Sequence, residues 1–402
     1  MYHLFYQYNP HGALWDVGNL SWGHSVSGDL VNWAALDNAL DPTAPFDANG
    51  CASGSVTILP DGVPVVMYSG IDARRRQVQN VAFPKNPRDP LLREWTKPGY
   101  NPVIPVPADV SPDNFRDPTT AWLGSDGLWR FAISAVADGV GATLVYRSAD
   151  FLRWERNAAP LHASRDAVMA ECPDLFPVAA HGEDGLDLDA SAIGGAGAGV
   201  RHVLKVSMPD TLEDYYMVGR YDDADDTFTV PPEDLEAHGD DYRRWRRIDH
   251  GHLYASKTFY DAGKKRRVLW AWVNESDSEA DDVTKGWSGL QVSAPVTINI
   301  YNGNAIATLC AQCSLARSCD LFYAVVSAGG VAGRGREAAG AVAGGGDRDA
   351  EAETRRSARR KRGGGGRAAR DRRHRGLAGG RGGSVRDREP RGRRPPRPRP
   401  FA

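Results

Sequence analysis

The chain has 402 residues, a formal net charge of −2 and 41% hydrophobic residues, enough to bury a sizeable core and to hold two domains. The small net charge hides two unlike parts: residues 331–402 carry 22 Lys/Arg against 8 Asp/Glu, whereas residues 1–330 carry 27 against 43. No run reaches the roughly 20 apolar residues of a membrane span, and the odd number and irregular spacing of Cys51, Cys172, Cys310, Cys313 and Cys319 do not make a disulfide framework.

Met1 is followed at once by Tyr2-His-Leu-Phe-Tyr-Gln-Tyr8, which reads as a core strand. There is no basic n-region or cleavage site, so no signal peptide is visible. Further strands, bounded by turn residues, are expected at 64–70, 128–134, 143–148, 200–206, 215–221 and 267–273. No long stretch has helical periodicity, so the chain is all-β: a sandwich, barrel or propeller. A loose repeat favours the propeller. Ser27-x-Asp-Leu-x-x-Trp33 is matched by Ser148-Ala-Asp-Phe-Leu-Arg-Trp154, as if each ended one strand and turned toward the next. The Ala/Gly/Asp stretch 179–200 reads as a loop insertion. Sequons stand at Asn19-Leu-Ser21 and Asn274-Glu-Ser276. Cys310-x-x-Cys313 with Cys319 lacks a fourth ligand at a zinc spacing, so neither metal nor cofactor is expected.

Two tetrapeptides carry the chemistry: Phe115-Arg-Asp-Pro118 and Glu171-Cys-Pro-Asp174. Retaining glycoside hydrolysis needs two carboxyl groups, one attacking the anomeric carbon and one protonating the leaving oxygen. Glu171, among Met, Ala, Cys, Pro and Phe, suits the acid/base, because desolvation raises a carboxyl pKa. Asp117 beside Arg116 suits an ionised carboxylate that stabilises an oxocarbenium-like transition state. Taken singly, each reads more simply as a turn, with Glu171 exposed and Arg116-Asp117-Pro118 structural.

The ordered set changes this reading. His3-Leu-Phe-Tyr-Gln-Tyr-Asn-Pro10, Trp22-Gly-His-Ser-Val-Ser27, Ser53-Gly-Ser55, the two tetrapeptides and Tyr254-Ala-Ser-Lys-Thr-Phe-Tyr-Asp261 together resemble the family 32 glycoside hydrolases, and within them the plant acid invertases, from Tyr2 to about Gln291. The resemblance implies a five-bladed β-propeller followed by a β-sandwich, and hydrolysis of sucrose or related β-fructosides through a fructosyl-enzyme intermediate. It implies Glu171 as acid/base, Asp117 as transition-state stabiliser, and Arg116, Gln7, Trp15 and Ser53 as sugar contacts. Asp249 and His252 fall on the glucose side, His252 where many relatives have Lys. Trp22 reads as core packing. Pro173 resembles the cell-wall branch, which implies secretion to the cell wall and a proteinaceous inhibitor as a partner; no nucleic-acid or membrane partner is expected. Fructan exohydrolase or fructosyltransferase activity, and a non-catalytic sugar-binding homologue, are the competing readings.

Three departures stand out. The family's nucleophile, in Asn-Asp-Pro-Asn-Gly before the first strand, is absent from these 402 residues, and Ala52 and Ala170 stand where the family has Trp; both changes are expected to loosen packing at the site. The chain thus divides into a propeller over 1–291 with incomplete first and last blades, a non-homologous linker over 292–330, and a disordered Arg/Gly-rich tail over 331–402 in place of the sandwich. The open blade edges are expected to invite aggregation and to leave the polypeptide poorly folded. The tail resembles RNA-binding RGG segments only loosely, since Phe401 is its one aromatic residue. A simpler origin is a change of reading frame. Shifted by one nucleotide, 344–352 can encode VEEIETLR, 330–343 can encode WLDAGGKQLVQWP and 384–392 can encode AFEIENLE, which resemble consecutive family segments. Residues 292 to about 325 then correspond to a retained intron, an expectation that sequencing the transcript checks.

Overall fold

A computed structural model describes residues 1–15, 19–179, 185–188, 199–232, 241–301, 304–309, 314–317 and 323–327, the last four strands by backbone only. These residues form five antiparallel sheets in chain order. The first holds β1 (Tyr2–Tyr8), β2 (Ser21–Ser27) and β3 (Trp33–Leu40). The second holds β4 (Cys51–Ile58), β5 (Pro64–Ile71), β6 (Gln77–Pro84) and β7 (Trp95–Thr96). The third is built on β8 (Val110–Arg116), β9 (Trp122–Leu123), β10 (Trp129–Ala137) and β11 (Val140–Ser148), with β12 (Glu155–Arg156) and β13 (His162–Ser164) on its outer edge. The fourth holds β14 (Glu171–Ala179), β15 (Val200–Met208), β16 (Glu213–Asp222), β17 (Thr227–Thr229) and β18 (Arg246–Arg247). The fifth holds β19 (Leu253–Asp261), β20 (Arg266–Val273), β21 (Leu290–Tyr301), β22 (Asn304–Leu309) and β23 (Ser314–Arg317). A last strand, β24 (Tyr323–Ser327), returns to pair antiparallel with β1.

The core shows how the sheets are arranged. Phe5, Trp22, Val66 and Tyr68 join sheets one and two; Val65, Met67, Phe115 and Phe131 join two and three; Trp122, Val145, Leu204 and Met217 join three and four. Cys172 packs with Tyr254 and Trp272 between four and five. Tyr2, Leu4 and Leu30 meet Phe259, Val268 and Trp270, which brings the fifth sheet back to the first. Five sheets packed face to face in a closed ring make a five-bladed propeller. Sheets covered on both faces explain why β2 is buried throughout and β5 buried up to its last residue, rather than alternating as a half-exposed strand does.

The repeat read from the sequence is a turn. Asp29 accepts the amides of Val31 (2.9 Å) and Asn32 (2.7 Å), Ser27 Oγ accepts that of Leu30, and Trp33 Nε1 donates to Leu30 O at 3.2 Å. Asp150, Ser148 and Trp154 repeat each bond around Phe151. The second blade carries a divergent copy, in which Trp95 Nε1 donates to Leu92 O at 2.9 Å. Leu30, Phe151 and Leu92 all sit at positive φ.

The structure adds two details to the all-β, five-bladed reading. A short helix, α1 (Glu279–Lys285), is capped by Ser278, whose side chain accepts the Asp281 amide, and by Gly286 at φ 79°; at seven residues it is too short to show a period. At the blade edges, β24 pairs with β1 and β21 pairs with β20, with β22 and β23 on β21; an unpaired strand edge is satisfied by any extended segment that reaches it. Cys310, Cys313, Cys319, the tail 331–402 and most of 179–200 lie outside the described residues.

Candidate active site

The leading strands of the blades meet around the middle of the ring: β24 touches β4 and β19, β4 touches β8, and β14 touches β19. β4, β14 and β19 each carry a bulge close to their start. In β14 the register slips between Glu171 and Asp174, in β19 between Tyr254 and Lys257, and in β4 between Cys51 and Gly54. A bulge re-aims the side chains beside it and raises local twist. At two of these bulges the backbone turns through the left-handed region, Cys172 at φ 48° and Ala255 at φ 54°, and Asp117 at the end of β8 does the same at φ 66°. Such conformations are costly for residues other than Gly, and all three surround one cluster of side chains.

That cluster holds Arg116, Asp117, Glu171 and Tyr254. The Arg116 guanidinium pairs with Glu171 Oε1, and its Nε lies 3.9 Å from Asp117 Oδ2. The Tyr254 hydroxyl donates to Glu171 Oε2. Asp117 Oδ2 accepts the Cys172 amide at 3.0 Å, and the Asp117 amide donates to Ser69 Oγ at 3.2 Å. Ser69 in turn donates to Gln79 Oε1 at 3.0 Å, and Gln79 Nε2 to Phe115 O at 2.8 Å, so β5 and β6 hold the end of β8 in place. Glu171 is 8% exposed and Asp117 4%.

Burial raises the Asp117 pKa; Arg116 works against this, while the Glu171 charge adds to it. Burial opposes the Arg116 charge too, but Glu171 and Asp117 outweigh it and raise the guanidinium pKa. The Tyr254 hydroxyl is raised by burial and by Glu171, which keeps it a proton donor. Burial pushes the Cys172 thiol up and lowers Lys257. The arrangement is one guanidinium between two carboxyl groups, with a phenol fixing one of them.

Gln7, on β1, donates from Nε2 to Cys51 O at 3.0 Å, next to the bulge that bears Ser53. Gln7 Oε1, Ser53 Oγ and Asp117 Oδ1 are buried and have no hydrogen-bond partner among the described residues; buried polar atoms of this kind are normally paired, and a polyhydroxylated ligand would pair them. Trp15 follows β1 and is half-buried, whereas Trp22 is 3% exposed in the core. Asp249 spends Oδ2 on its own loop, accepting the Gly251 (2.7 Å) and Leu253 (3.3 Å) amides. His252 is exposed on the same loop. Ala52 and Ala170 are both buried; Ala52 O accepts Trp22 Nε1 at 2.9 Å and Ala170 O accepts the Ser134 hydroxyl. Sequence reasoning missed Tyr254 as a partner of Glu171, and Ser69 and Gln79 as supports of Asp117. Its only signal for Tyr254 was the place of that residue at the head of an already noted motif.

The family model of the glycosyl hydrolases family 32 N-terminal domain matches residues 1–309. The chain is 73% identical over 291 residues to a beta-fructofuranosidase, insoluble isoenzyme 7, of Oryza sativa subsp. indica, an alignment covering 72% of this chain and 48% of that protein. It is 65% identical over 296 residues to a fructan 6-exohydrolase of Triticum aestivum, covering 72% and 49%. Among solved structures, fructan 1-exohydrolase IIa from Cichorium intybus superposes with a TM-score of 0.71 at 44% identity, over 77% of this chain and 56% of that one. The chain spans about half the length of these curated relatives.

Proposed function

The chain belongs to glycosyl hydrolase family 32, and from that premise we propose that its site acts on terminal β-D-fructofuranosides, sucrose first, by a retaining mechanism. Glu171 protonates the leaving glycosidic oxygen and later takes a proton from water. Tyr254 holds its carboxyl through Oε2. Asp117 and Arg116 hold fructosyl hydroxyls and stabilise the charge that develops at the anomeric carbon. Gln7 and Ser53 offer their unpaired atoms to the same sugar, Trp15 stacks on it, and Asp249 and His252 face the leaving sugar. The observation that supports this best is the buried Arg116–Glu171–Asp117 cluster beside three polar atoms that have no partner among the described residues.

The attacking carboxylate is not among these residues, and the 402 residues contain no Asn-Asp-Pro-Asn-Gly. A polypeptide of this sequence is therefore expected to bind sucrose without appreciable turnover. Azide supplied as an external nucleophile would attack the anomeric carbon as Glu171 protonates the departing glucose, leaving α-fructosyl azide. The test is calorimetric titration with sucrose, then glucose release with and without azide in the chain and in Glu171→Gln. Saturable binding with azide-dependent release, lost in Glu171→Gln, supports the proposal; no binding at millimolar sucrose sinks it.

A second reading, fructan exohydrolase activity, is favoured by the 65% identity to the wheat fructan 6-exohydrolase. Binding of 1-kestose or a β-2,6-linked fructan oligomer at least tenfold tighter than sucrose would select it. The names of the relatives, insoluble isoenzymes, support a cell-wall location, and the family resemblance supports a proteinaceous inhibitor at the sugar-binding face.

A further inference from the structure

Each bulge beside the site strands backbone groups that its own ladder cannot pair. In β14, three residue steps from Glu171 to Asp174 face two steps from Ser207 to Lys205 on β15. In β19, three steps from Tyr254 to Lys257 face two from Trp272 to Trp270 on β20. A bulge leaves its extra residue outside the ladder, and a buried orphan of this kind is costly.

One pair of side chains, on the second and third strands of the fourth blade, serves both bulges. Lys205 Nζ donates to Cys172 O at 2.9 Å and to Ser207 Oγ at 3.1 Å. Asp214 receives the two bulge amides of β19, Ala255 N on Oδ1 at 3.0 Å and Ser256 N on Oδ2 at 2.8 Å. Lys205 and Asp214 are themselves 3.8 Å apart, and each is 1% exposed. The chain of contacts closes on itself: Glu171, the Cys172 bulge, Lys205, Asp214, the Ala255-Ser256 bulge, Tyr254, and back to Glu171 through the phenol.

We propose that Lys205 and Asp214 are positioning residues that set the aim of Glu171 and Tyr254 toward each other, by holding the two bulges on which those side chains stand. Neither touches the Glu171 carboxyl or the Tyr254 hydroxyl. A lysine and an aspartate taken out of water are normally a burden on stability, and a fold that needed only packing at this point would do as well with Met and Leu. What the charges supply is a carbonyl cap on one blade and a two-amide cap on the next, rigidly linked. The consequence for catalysis rests on Glu171 being the acid/base of the proposed function; the geometry does not.

The test therefore reads geometry, not turnover. In protein carrying [13Cζ]tyrosine, the Tyr254 signal is assigned by its loss in Tyr254→Phe, and Glu171→Gln gives its position without the carboxylate acceptor. Lys205→Met/Asp214→Asn is made first, since it leaves no unpaired charge behind; Asp214→Asn alone, which keeps the shape of the side chain, is the second variant should the double one not fold. The expected result is that the Tyr254 signal moves to the Glu171→Gln position while the other tyrosines, apart from Tyr215 and Tyr216 beside residue 214, stay in place. A folded variant of either kind whose Tyr254 signal remains at the wild-type position overturns the proposal, even if its melting temperature falls, because a purely structural pair would lower stability without releasing that hydrogen bond. Since no step requires hydrolysis, failure to cleave fructosides leaves this outcome readable.

Discussion

Replacing Arg116 by Met removes the cation between Glu171 and Asp117 while keeping most of the apolar stem. The two carboxyl groups, 8% and 4% exposed, then face each other without a cation between them. At the observed 3.9 Å from Arg116 Nε to Asp117 Oδ2, an effective dielectric of about 20 makes the lost attraction about 4 kcal/mol at neutral pH, in line with the roughly 3–5 kcal/mol for breaking buried pairs. The sign with pH follows from Asp117, whose pKa is raised in the folded protein. Between its unfolded value of about 3.9 and the raised folded value, the native state binds more protons, so this group's contribution to stability falls as pH rises. Removing Arg116 raises it further. At pH 4.5, protonating such a carboxyl costs only about 1 kcal/mol, since the reference pKa lies within a unit. The Met variant should therefore lose about 4 kcal/mol at pH 7 and only about 1–2 kcal/mol at pH 4.5. Urea unfolding followed by tryptophan fluorescence measures this, as all 11 Trp lie before residue 290. Equal losses at the two pH values, within about 0.5 kcal/mol, would show that the deficit is packing rather than charge.

Two further outcomes concern the blades. Asp226, fully buried, receives Arg130 Nε at 2.7 Å, Arg147 Nε and the Tyr221 hydroxyl, and so ties the third blade to the fourth; Asp226→Asn should lower stability by about 3 kcal/mol or more, and a urea midpoint that moves by less than about 1 kcal/mol equivalent would contradict this. His3 and His24 are buried neutral with Nδ1 and Nε2 3.1 Å apart, and burial lowers their pKa values to about 4 and about 3. The unfolded chain therefore binds the extra protons, and stability is lost as pH falls from about 6.5 toward 4. His24→Gln should flatten that slope, seen as melting temperature against pH, and an unchanged slope would place the acid sensitivity elsewhere.

Much of the site was legible before any coordinates. The all-β class followed from short apolar runs between turn residues, and the propeller from a repeat whose Ser, Asp and Trp make the same local bonds wherever they recur. Arg116, Asp117 and Glu171 stood out only through the fixed order of motifs and the family that order resembles; taken singly, each tetrapeptide reads as a turn. α1 was not, because seven residues carry too little period to be seen.

What the sequence determined by itself, then, was the class of fold, the family and the names of the charged residues, all properties of short segments read along the chain. The tertiary structure decided who serves whom. Tyr254 stands 83 residues from Glu171 yet donates to it, and Asp214 caps amides 41 and 42 residues away. The reason is physical. A β-bulge creates donors and acceptors that its own strands cannot satisfy, and in a dry core the partner must come from whichever side chain the neighbouring blade brings within about 3 Å. No spacing along the chain specifies that distance; only closing five sheets into a ring does.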